Sequence, residues 1–325
     1  MRRVGNLRHG GLMTNYQCNA ACRHCLYASS PKRDGSYINT ETAEELCSLL
    51  CEGECRSIHI GGGEPFLQYE SLIKFLEIIR YAGIRVEYLE TNGFWATDEK
   101  RVLNRLQELK AVGVDTLCIS VDPFHAEYIP VGHPLQLAET CRRSGFKHFL
   151  WQERFLMQLS TLPLNRAHNR MELEKLISPN YLKETLTRYG LSIGGRAINM
   201  ESEFATPKPT ESLLKEKPCR NLLSTEHFHV DNQLRFIPPG CTGIVIPLAE
   251  AIRGIPEGKY PVFEALLTGG VTGLLKYAEK KGFEASEEYP STCALCFRIR
   301  HWLAENAFSP DLDVEHYKAA LQFYD

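Results

Sequence analysis

Three cysteines stand close together near the N-terminus, in the sequence Cys18-Asn-Ala-Ala-Cys22-Arg-His-Cys25. Thiols at this density on one short loop are typical ligands of a soft metal centre. Structural zinc needs four ligands, so a loop with three leaves one coordination position open for chemistry. Zinc sites usually pair two CxxC motifs, but a zinc loop or three unrelated thiols are the alternatives. The rest of the chain must therefore build a site around this loop.

Size and composition limit the class of protein. The 325 residues are enough for one large α/β domain and a smaller module. The 37 Lys and Arg residues nearly balance the 40 Asp and Glu residues, so no surface for nucleic acid is predicted. Because no signal peptide and no run of about 18 apolar residues is present, we expect a cytoplasmic protein with no membrane partner. Twelve cysteines then favour metal ligation over disulfides.

Apolar periodicity predicts alternating strands and helices along the first two thirds of the chain, which indicates parallel βαβ units. The predicted strands are 11–18, 57–61, 84–89, 114–121, 146–157 and 192–200, and the predicted helices are 40–51, 69–81, 99–110, 135–144 and 178–189. Six such units make an α/β fold, a partial (β/α)6 barrel of the TIM type. The loops after the strands of such a barrel share one rim, so residues at the strand ends are candidates for function.

The cysteine loop and the run Gly61-Gly-Gly-Glu-Pro65 together resemble the radical S-adenosylmethionine (radical SAM) superfamily, in its CxxxCxxC loop and its glycine-rich stretch. The resemblance implies that Cys18, Cys22 and Cys25 hold three irons of a [4Fe–4S] cluster whose fourth iron chelates SAM. Glycine suits the stretch because a side chain would block close approach to the ligand. Cofactor contacts are implied for His24, Gly62, Gly63, Glu64, Asn92, Ser120, Asp122 and Arg196.

These cofactor contacts have different implied roles. His24 occupies the position at which the family usually has an aromatic residue near the adenine, and the glycine stretch holds the amino group of the SAM methionine. Ser120, Asp122 and Arg196 are expected to hold the ribose and the carboxylate, for which an arginine fork is suited. The alternative for each of these three is a rim hydrogen bond or a surface ion pair. His125 and the run 151–154 are further rim candidates for substrate contact.

A second module is predicted after residue 203, where prolines interrupt the periodicity. We therefore divide the chain into a radical SAM core, residues 1–203, and a smaller cysteine-rich α+β module, residues 204–325. A hairpin is expected over 228–237, around the turn pair Asp231-Asn232. The hairpin and the following Pro-Gly-Cys resemble the extensions called SPASM and twitch domains. The four thiols, which fit the twitch type with one auxiliary [4Fe–4S] cluster, are Cys219, Cys241, Cys293 and Cys296.

The match to these extensions is incomplete at Cys241. Asn232 stands where the family has glycine, and eight residues rather than four separate it from Cys241. Structural zinc is the alternative for the four thiols, since CxxC pairs are common in zinc sites.

The remaining cysteines give a different pattern. Cys47, Cys51 and Cys55 recur every four residues, which places them on one helix face as small hydrophobic residues. Cys118 lies two residues before Ser120 and points to the same side of its strand. If that side is the lumen, its thiol could supply a hydrogen atom, and core packing is the alternative.

These features predict a radical SAM enzyme. The resemblance implies reductive cleavage of SAM to a 5′-deoxyadenosyl radical, which abstracts a hydrogen atom from substrate. We rank first a ribosomally made peptide or protein that is oxidised or cross-linked, with the auxiliary cluster accepting the electron. Alternatives are a peptide epimerase with Cys118 or Cys241 as hydrogen donor, a small-molecule dehydrogenase, and a non-catalytic zinc-stabilised binding protein.

The expected partners are the substrate and an electron donor such as flavodoxin or ferredoxin. Only 17 residues precede Cys18, so we expect no leader-peptide domain. A peptide would be held by the barrel mouth and the tail, or by a separate partner.

Overall fold

Strands from both halves of the chain meet in one sheet. The computed structural model describes residues 3–179, 181–188, 194–214, 217 and 219–321. Within these residues the strands are β1 (His9–Met13), β2 (Ser57–Gly61), β3 (Arg85–Thr91), β4 (Thr116–Ser120), β5 (Lys147–Trp151), β6 (Lys208–Pro209), β7 (Glu226–Asp231), β8 (Arg235–Ile237), β9 (Ile246–Pro247) and β10 (Glu288–Tyr289). Eight of them form the sheet in the order β5-β4-β3-β2-β1-β7-β8-β9, and β6 pairs with β10 separately.

Helices separate the strands of the first half and dominate the second. They are α1 (Thr40–Glu52), α2 (Tyr69–Tyr81), α3 (Glu99–Ala111), α4 (Pro123–Ala126), α5 (Gly132–Ser144), α6 (Leu156–Leu159), α7 (Arg170–Leu176), α8 (Tyr181–Arg188), α9 (Ala197–Glu201), α10 (Thr210–Leu213), α11 (Leu248–Arg253), α12 (Pro261–Glu279), α13 (Thr292–Asn306) and α14 (Val314–Leu321). Within the described part of the chain, none of them has the length and apolar character that crossing a bilayer requires.

Local sequence sets the boundaries of the first helices. Asn39 caps α1 by accepting the Thr42 amide, and Asp98 caps α3 by accepting the Arg101 amide, which satisfies amides that the helix leaves free. α1 packs against α2, and α3 packs against α5. Because α2 also contacts β3 and α5 contacts β5, the apolar faces of these helices cover the sheet. The predictions for these helices are therefore confirmed to within three residues at each boundary.

The α/β class and the parallel sheet are confirmed. β1 to β5 pair in parallel with their neighbours, so their carboxyl ends lie along one edge. The fifth strand is shorter than predicted, because it ends at Trp151 and the chain continues as a helical turn from Glu153.

The sixth strand, predicted over 192–200, is wrong in its described part. Residues 189–193 lie outside the described residues, and Ala197–Glu201 forms α9. The chain turns before this helix because Gly195 has a left-handed φ of 52° and lies against the cysteine loop, where an added Cβ would be 2.1 Å from the Leu26 carbonyl oxygen. Contact with the loop thus replaces strand pairing here.

The C-terminal half extends the same sheet. β7 pairs in parallel with β1, and β8 and β9 follow antiparallel. The predicted hairpin is confirmed, and Asp231 supports it by accepting the amides of Gln233 and Arg235 at 3.0 Å each. The Tyr16 hydroxyl donates to the same carboxylate at 3.0 Å, so one buried group joins the hairpin to the segment before the cysteine loop. The sheet therefore continues across the predicted division at residue 203.

Candidate active site

A cavity of about 490 Å³ opens where the parallel strands end. This volume is within the range of about 300–1,000 Å³ for small-molecule sites. The residues singled out in the sequence that line it are Cys18, Cys22, His24, Cys25, Gly62, Gly63, Glu64, Asn92, Cys118, Ser120, His125 and Trp151. Strand ends far apart in sequence thus supply one site, as the alternating pattern predicts.

The cysteine loop presents its three thiols to this cavity. The Cys18 sulfur accepts the Ala20 amide at 3.3 Å, and the Cys25 sulfur accepts the Ser29 amide at 3.3 Å. The Asn92 side-chain amide lies 3.8 Å from the Cys18 sulfur. Donors aimed at sulfur stabilise thiolates, and hydrogen bonds of this kind tune bound iron–sulfur clusters.

The glycine stretch packs directly against the segment that leads into the cysteine loop. The Gly63 amide donates to the Asn15 carbonyl at 2.8 Å, and the Glu64 amide donates to the Gln17 carbonyl at 3.0 Å. A Cβ at Gly63 would lie 2.0 Å from the Gln17 carbonyl oxygen. The protein's own backbone therefore already requires glycine at this position. Gly63 also lines the cavity, and its contact with a ligand stays a prediction.

Two buried carboxylates lie in the cavity wall. Glu64 accepts the Asn92 amide at 2.8 Å and the Thr91 hydroxyl at 2.9 Å, so it joins the ends of β2 and β3. Burial raises the pKa of Glu64 to about 7, against the lowering effect of these bonds. Glu90, which the sequence analysis did not select, has its pKa raised to about 7 by burial and by the charge of Glu64. Its place at a strand end was the available signal.

An aromatic wall forms around His24. Its ring stacks on Phe124 with centroids 4.6 Å apart and on Trp151 at 5.5 Å. Asp122 lies outside the cavity lining and caps α4, where it accepts the Phe124 amide at 2.9 Å and contacts His125 Nδ1 at 2.6 Å. Asp122 thus holds the His125 ring in position, and Asp122 itself does not line the cavity.

Arg196 also lies outside the cavity lining. Its side chain is 1% exposed, and its guanidinium donates to the Cys22 carbonyl at 2.9 Å and to the Ser29 carbonyl at 2.6 Å. The arginine fork thus joins Cys22, within the loop, to Ser29, four residues beyond Cys25, for which its fixed donor geometry is suited. These contacts differ from the predicted grip on a SAM carboxylate.

A buried cation, Arg300, lies on α13 with two of the tail thiols, Cys293 and Cys296. A hydrogen bond with Cys241 lowers the pKa of Cys219 to about 6, and the charge of Arg300 adds to this effect. Burial raises the pKa of Cys293 and Cys296, and the same charge opposes it. Arg300 itself donates to the Thr242 carbonyl at 2.8 Å and to the Tyr317 hydroxyl at 2.9 Å. The charge of one guanidinium thus acts on all four tail thiols. Helical spacing places Cys293 and Cys296 on the same face of α13 as Arg300, whereas only the fold brings Cys219 and Cys241 to it.

The three cysteines of the four-residue repeat lie away from the cavity. Cys47 is buried on α1, where burial raises its pKa to about 11, and Cys51 is half-buried on the same helix. The predicted position of Cys55 on the helix face is wrong, because the helix ends at Glu52 and Cys55 lies in the connection to β2. Its side chain is nevertheless buried.

Comparison with known proteins shows which family part of the chain resembles. Residues 13–151 match the Radical SAM superfamily. The match covers less than half of the 325 residues, and over it the chain is similar to a radical SAM domain. Members of this family bind a [4Fe–4S] cluster and SAM. The matched residues include the cysteine loop, the glycine stretch and the carboxyl ends of β1 to β5.

Two relatives match part of the chain. A protein of Bacillus subtilis (strain 168), YydG, named for peptide biosynthesis, is 30% identical over 128 residues, 39% of this chain and 40% of that protein. The mycofactocin maturase MftC of Mycobacterium tuberculosis is 36% identical over 115 residues, 34% of this chain and 27% of that protein. The chain thus spans less than half the length of these curated relatives. The solved structure of native anSMEcpe with bound AdoMet is 14% identical, with 97% of this chain and 96% of that one covered and a TM-score of 0.45.

The donor atoms of the cysteine loop fit a [4Fe–4S] cluster. Three thiols reach one cavity, two of their sulfurs accept backbone amides, and the cavity next to them has room for a ligand. Three cysteine ligands to a four-iron cluster leave one iron for another ligand. The donor set therefore suits a cluster with an open iron.

Proposed function

We propose that this chain is an enzyme that uses a [4Fe–4S] cluster and SAM to remove a hydrogen atom from a peptide, which is then oxidised or cross-linked. The observation that carries the proposal is the convergence of Cys18, Cys22 and Cys25 with the glycine stretch on one cavity. When bound, the cluster and SAM supply the radical that takes the hydrogen atom. The names of the two relatives, a peptide biosynthesis protein and a maturase, support a peptide substrate.

The residues of the chain would bind and orient these groups. The three thiols hold the cluster, and the contact between Gly63 and Gln17 keeps the glycine stretch beside the loop. The stacked rings of His24 and Trp151 offer a flat aromatic surface for the adenine of SAM. Buried side chains around the cavity exclude water from the reacting atoms.

The tail would carry a second cluster in this proposal. Residues 204–325 would form a SPASM/twitch-like module in which Cys219, Cys241, Cys293 and Cys296 hold one auxiliary [4Fe–4S] cluster. Arg300, a fixed positive charge beside the four thiols, would balance part of the negative charge of the thiolates. Bound to these thiols, that cluster would supply an acceptor for the electron that the substrate loses on oxidation, and the electron donor for the first cluster would be a flavodoxin or ferredoxin in the cytoplasm.

Iron analysis tests this assignment. Protein purified anaerobically should hold about eight irons from two four-iron clusters. Replacing Cys18, Cys22 and Cys25 together by alanine should leave about four, because the tail thiols lie on a different part of the chain. A protein with zinc and no iron would instead be the zinc-stabilised binding protein.

Epimerisation is the second candidate, and the position of Cys118 favours it. Cys118 lines the cavity, and its register partner on β3 is Glu90. An epimerase must return a hydrogen atom to carbon, and a cavity thiol that exchanges with water is a suitable donor. Turnover in D₂O separates the two reactions: oxidation gives a product without deuterium that is two hydrogens lighter. Epimerisation gives a product that gains one deuterium, and Cys118→Ala should abolish it.

A further inference from the structure

Three histidines form a cluster at the wall of the same cavity. His59 comes from β2, and His227 and His229 come from β7; one ring nitrogen of each lies within 4.8 Å of the others. His59 Nε2 and His229 Nε2 are 3.1 Å apart. His227 and His229 line the cavity, while His59 is 3% exposed behind them. The cluster is therefore buried on one side and open to the cavity on the other.

The backbone makes room for this cluster at Gly11. Gly11 on β1 is the register partner of His59 on one side and of His229 on the other. A Cβ at Gly11 would lie 2.1 Å from His59 Nε2 and 2.6 Å from His229 Nε2. The two rings therefore meet over the central strand only because that strand has no side chain there.

His227 reaches the cluster through an uncommon backbone conformation. Its φ is 64°, in the left-handed region that non-glycine residues rarely adopt. The β1–β7 register is irregular between His9 and Gly10, next to this residue. Such conformations persist where surrounding structure holds them, and they concentrate at functional sites.

The distance between the His59 and His229 nitrogens matches that between two ligands of one metal ion. Two nitrogens bound to a tetrahedral metal at about 2.0–2.1 Å stand about 3.3 Å apart, close to the separation of His59 and His229. Imidazole suits zinc and other first-row divalent metals. Three protein ligands with one open position are typical of zinc sites that bind water or substrate.

We propose that His59, His227 and His229 bind one divalent transition metal, with an open position that faces the cavity. The open position would take an oxygen atom of the substrate, such as a carbonyl or carboxylate oxygen, and so orient the substrate. Only this last step rests on the proposed function, because metal binding by the three rings does not require SAM chemistry. The site consists of nitrogen ligands and is distinct from both sets of thiols.

Aromatic packing together with a hydrogen bond between His59 Nε2 and His229 Nε2 is the alternative explanation of the cluster. The His59 ring stacks on Tyr88 with centroids 4.9 Å apart and on His227 at 5.1 Å. A phenylalanine in place of His227 keeps a ring for stacking but removes the nitrogen. The two explanations therefore predict different metal binding for the same variant.

The test measures zinc binding by the full-length, cluster-loaded protein under anaerobic conditions, in competition with a chromophoric chelator. Wild-type protein should bind one Zn²⁺ per chain without loss of iron. His227→Phe and His229→Gln should weaken zinc binding by at least about 100-fold, more than loss of an outer-shell partner does. His148→Phe, on β5 and outside the cluster, is the matched control and should bind zinc like the wild type.

X-ray absorption at the zinc edge of the wild-type protein keeps the test decisive if a variant folds poorly. A first shell of nitrogen and oxygen alone supports the site. Sulfur ligands, loss of iron on zinc addition, or equal zinc binding by wild type and folded His229→Gln would overturn it. A protein that binds one nitrogen-ligated zinc but never cleaves SAM would contradict the proposed function and leave this site intact.

Discussion

At the scale of single residues, Gly63 is where the glycine stretch and the segment before the cysteine loop come closest. A methyl group at this position would lie 2.0 Å from the Gln17 carbonyl oxygen, which belongs to the backbone and cannot rotate away. Gly63→Ala should therefore lower the free energy of unfolding by about 3 kcal/mol or more. Denaturant unfolding checks this, with Gly5→Ala as the control, since no atom lies within 4 Å of the added Cβ there. Equal stability of the two variants would contradict the packing argument.

Arg196 offers a second test at this scale. Support of the cysteine loop and binding of the SAM carboxylate predict different effects of the same substitution. Arg196→Met leaves the carbonyls of Cys22 and Ser29 without these donors, at about 1–3 kcal/mol for each unsatisfied group. We expect lower stability and less iron in the first cluster. Arg85→Met, at a side chain that is 72% exposed, should change stability by less than about 0.5 kcal/mol. Full iron content with only a raised KM for SAM would instead support the carboxylate contact predicted from the sequence.

At the scale of elements, apolar periodicity was enough to predict five parallel strands and the main helices between them, but two of the strands end earlier than predicted. β1 ends at Met13 rather than 18, and β5 ends at Trp151 rather than 157. α2 begins and ends where the sequence predicts, because its apolar stripe is regular. The sixth strand was wrong because apolar residues over 197–200 pack as a short helix beside the cysteine loop, which is a long-range contact. Likewise, the pairing of β7 with β1 joins residues more than 200 positions apart, and no local pattern encodes it.

In the candidate site, too, some residues could be recognised from the sequence and others could not. The thiols and the glycine stretch were recognisable, because their chemistry depends on residue type and local spacing. The three histidines were not recognisable, since only the folded chain brings them together. Arg300 was recognisable in part, because its spacing from Cys293 and Cys296 on α13 is local, while its approach to Cys241 is not. For the histidines, the alternation of His227 and His229 on one strand was the only local signal.

The tail belongs to the scale of elements too, because Cys293 and Cys296 share α13 with Arg300, whereas Cys219 and Cys241 come from other segments. Replacing Cys219, Cys293 and Cys296 together by alanine should remove about half of the iron. Some SAM cleavage should remain, since the first three thiols lie on another loop, and substrate turnover should fall further than cleavage. Metal analysis and product assays check this. One zinc with only four irons in the unmodified protein would contradict the auxiliary cluster and its role as electron acceptor.

At the scale of the whole molecule, one sheet holds strands from both halves of the chain, and a cavity is lined by residues of both halves. The cysteine loop follows β1, and β7 of the C-terminal half pairs with the same strand, so both halves contribute to the cavity wall. Asn221 and Gly240, which lie close in sequence to Cys219 and Cys241, also line this cavity. We therefore expect substrate bound in the cavity to contact both halves of the chain.

The central claim is that the cysteine loop supports reductive cleavage of SAM. The direct measurement is 5′-deoxyadenosine formed from SAM by the anaerobically purified full chain with a chemical reductant. The wild-type protein should form it, and the Cys18, Cys22 and Cys25 triple alanine variant should form none while it retains about half of the iron. The paired Cys47→Ala, Cys51→Ala variant, which alters thiols on α1 away from the cavity, should cleave SAM like the wild type. Production of 5′-deoxyadenosine by the triple variant would contradict the assignment.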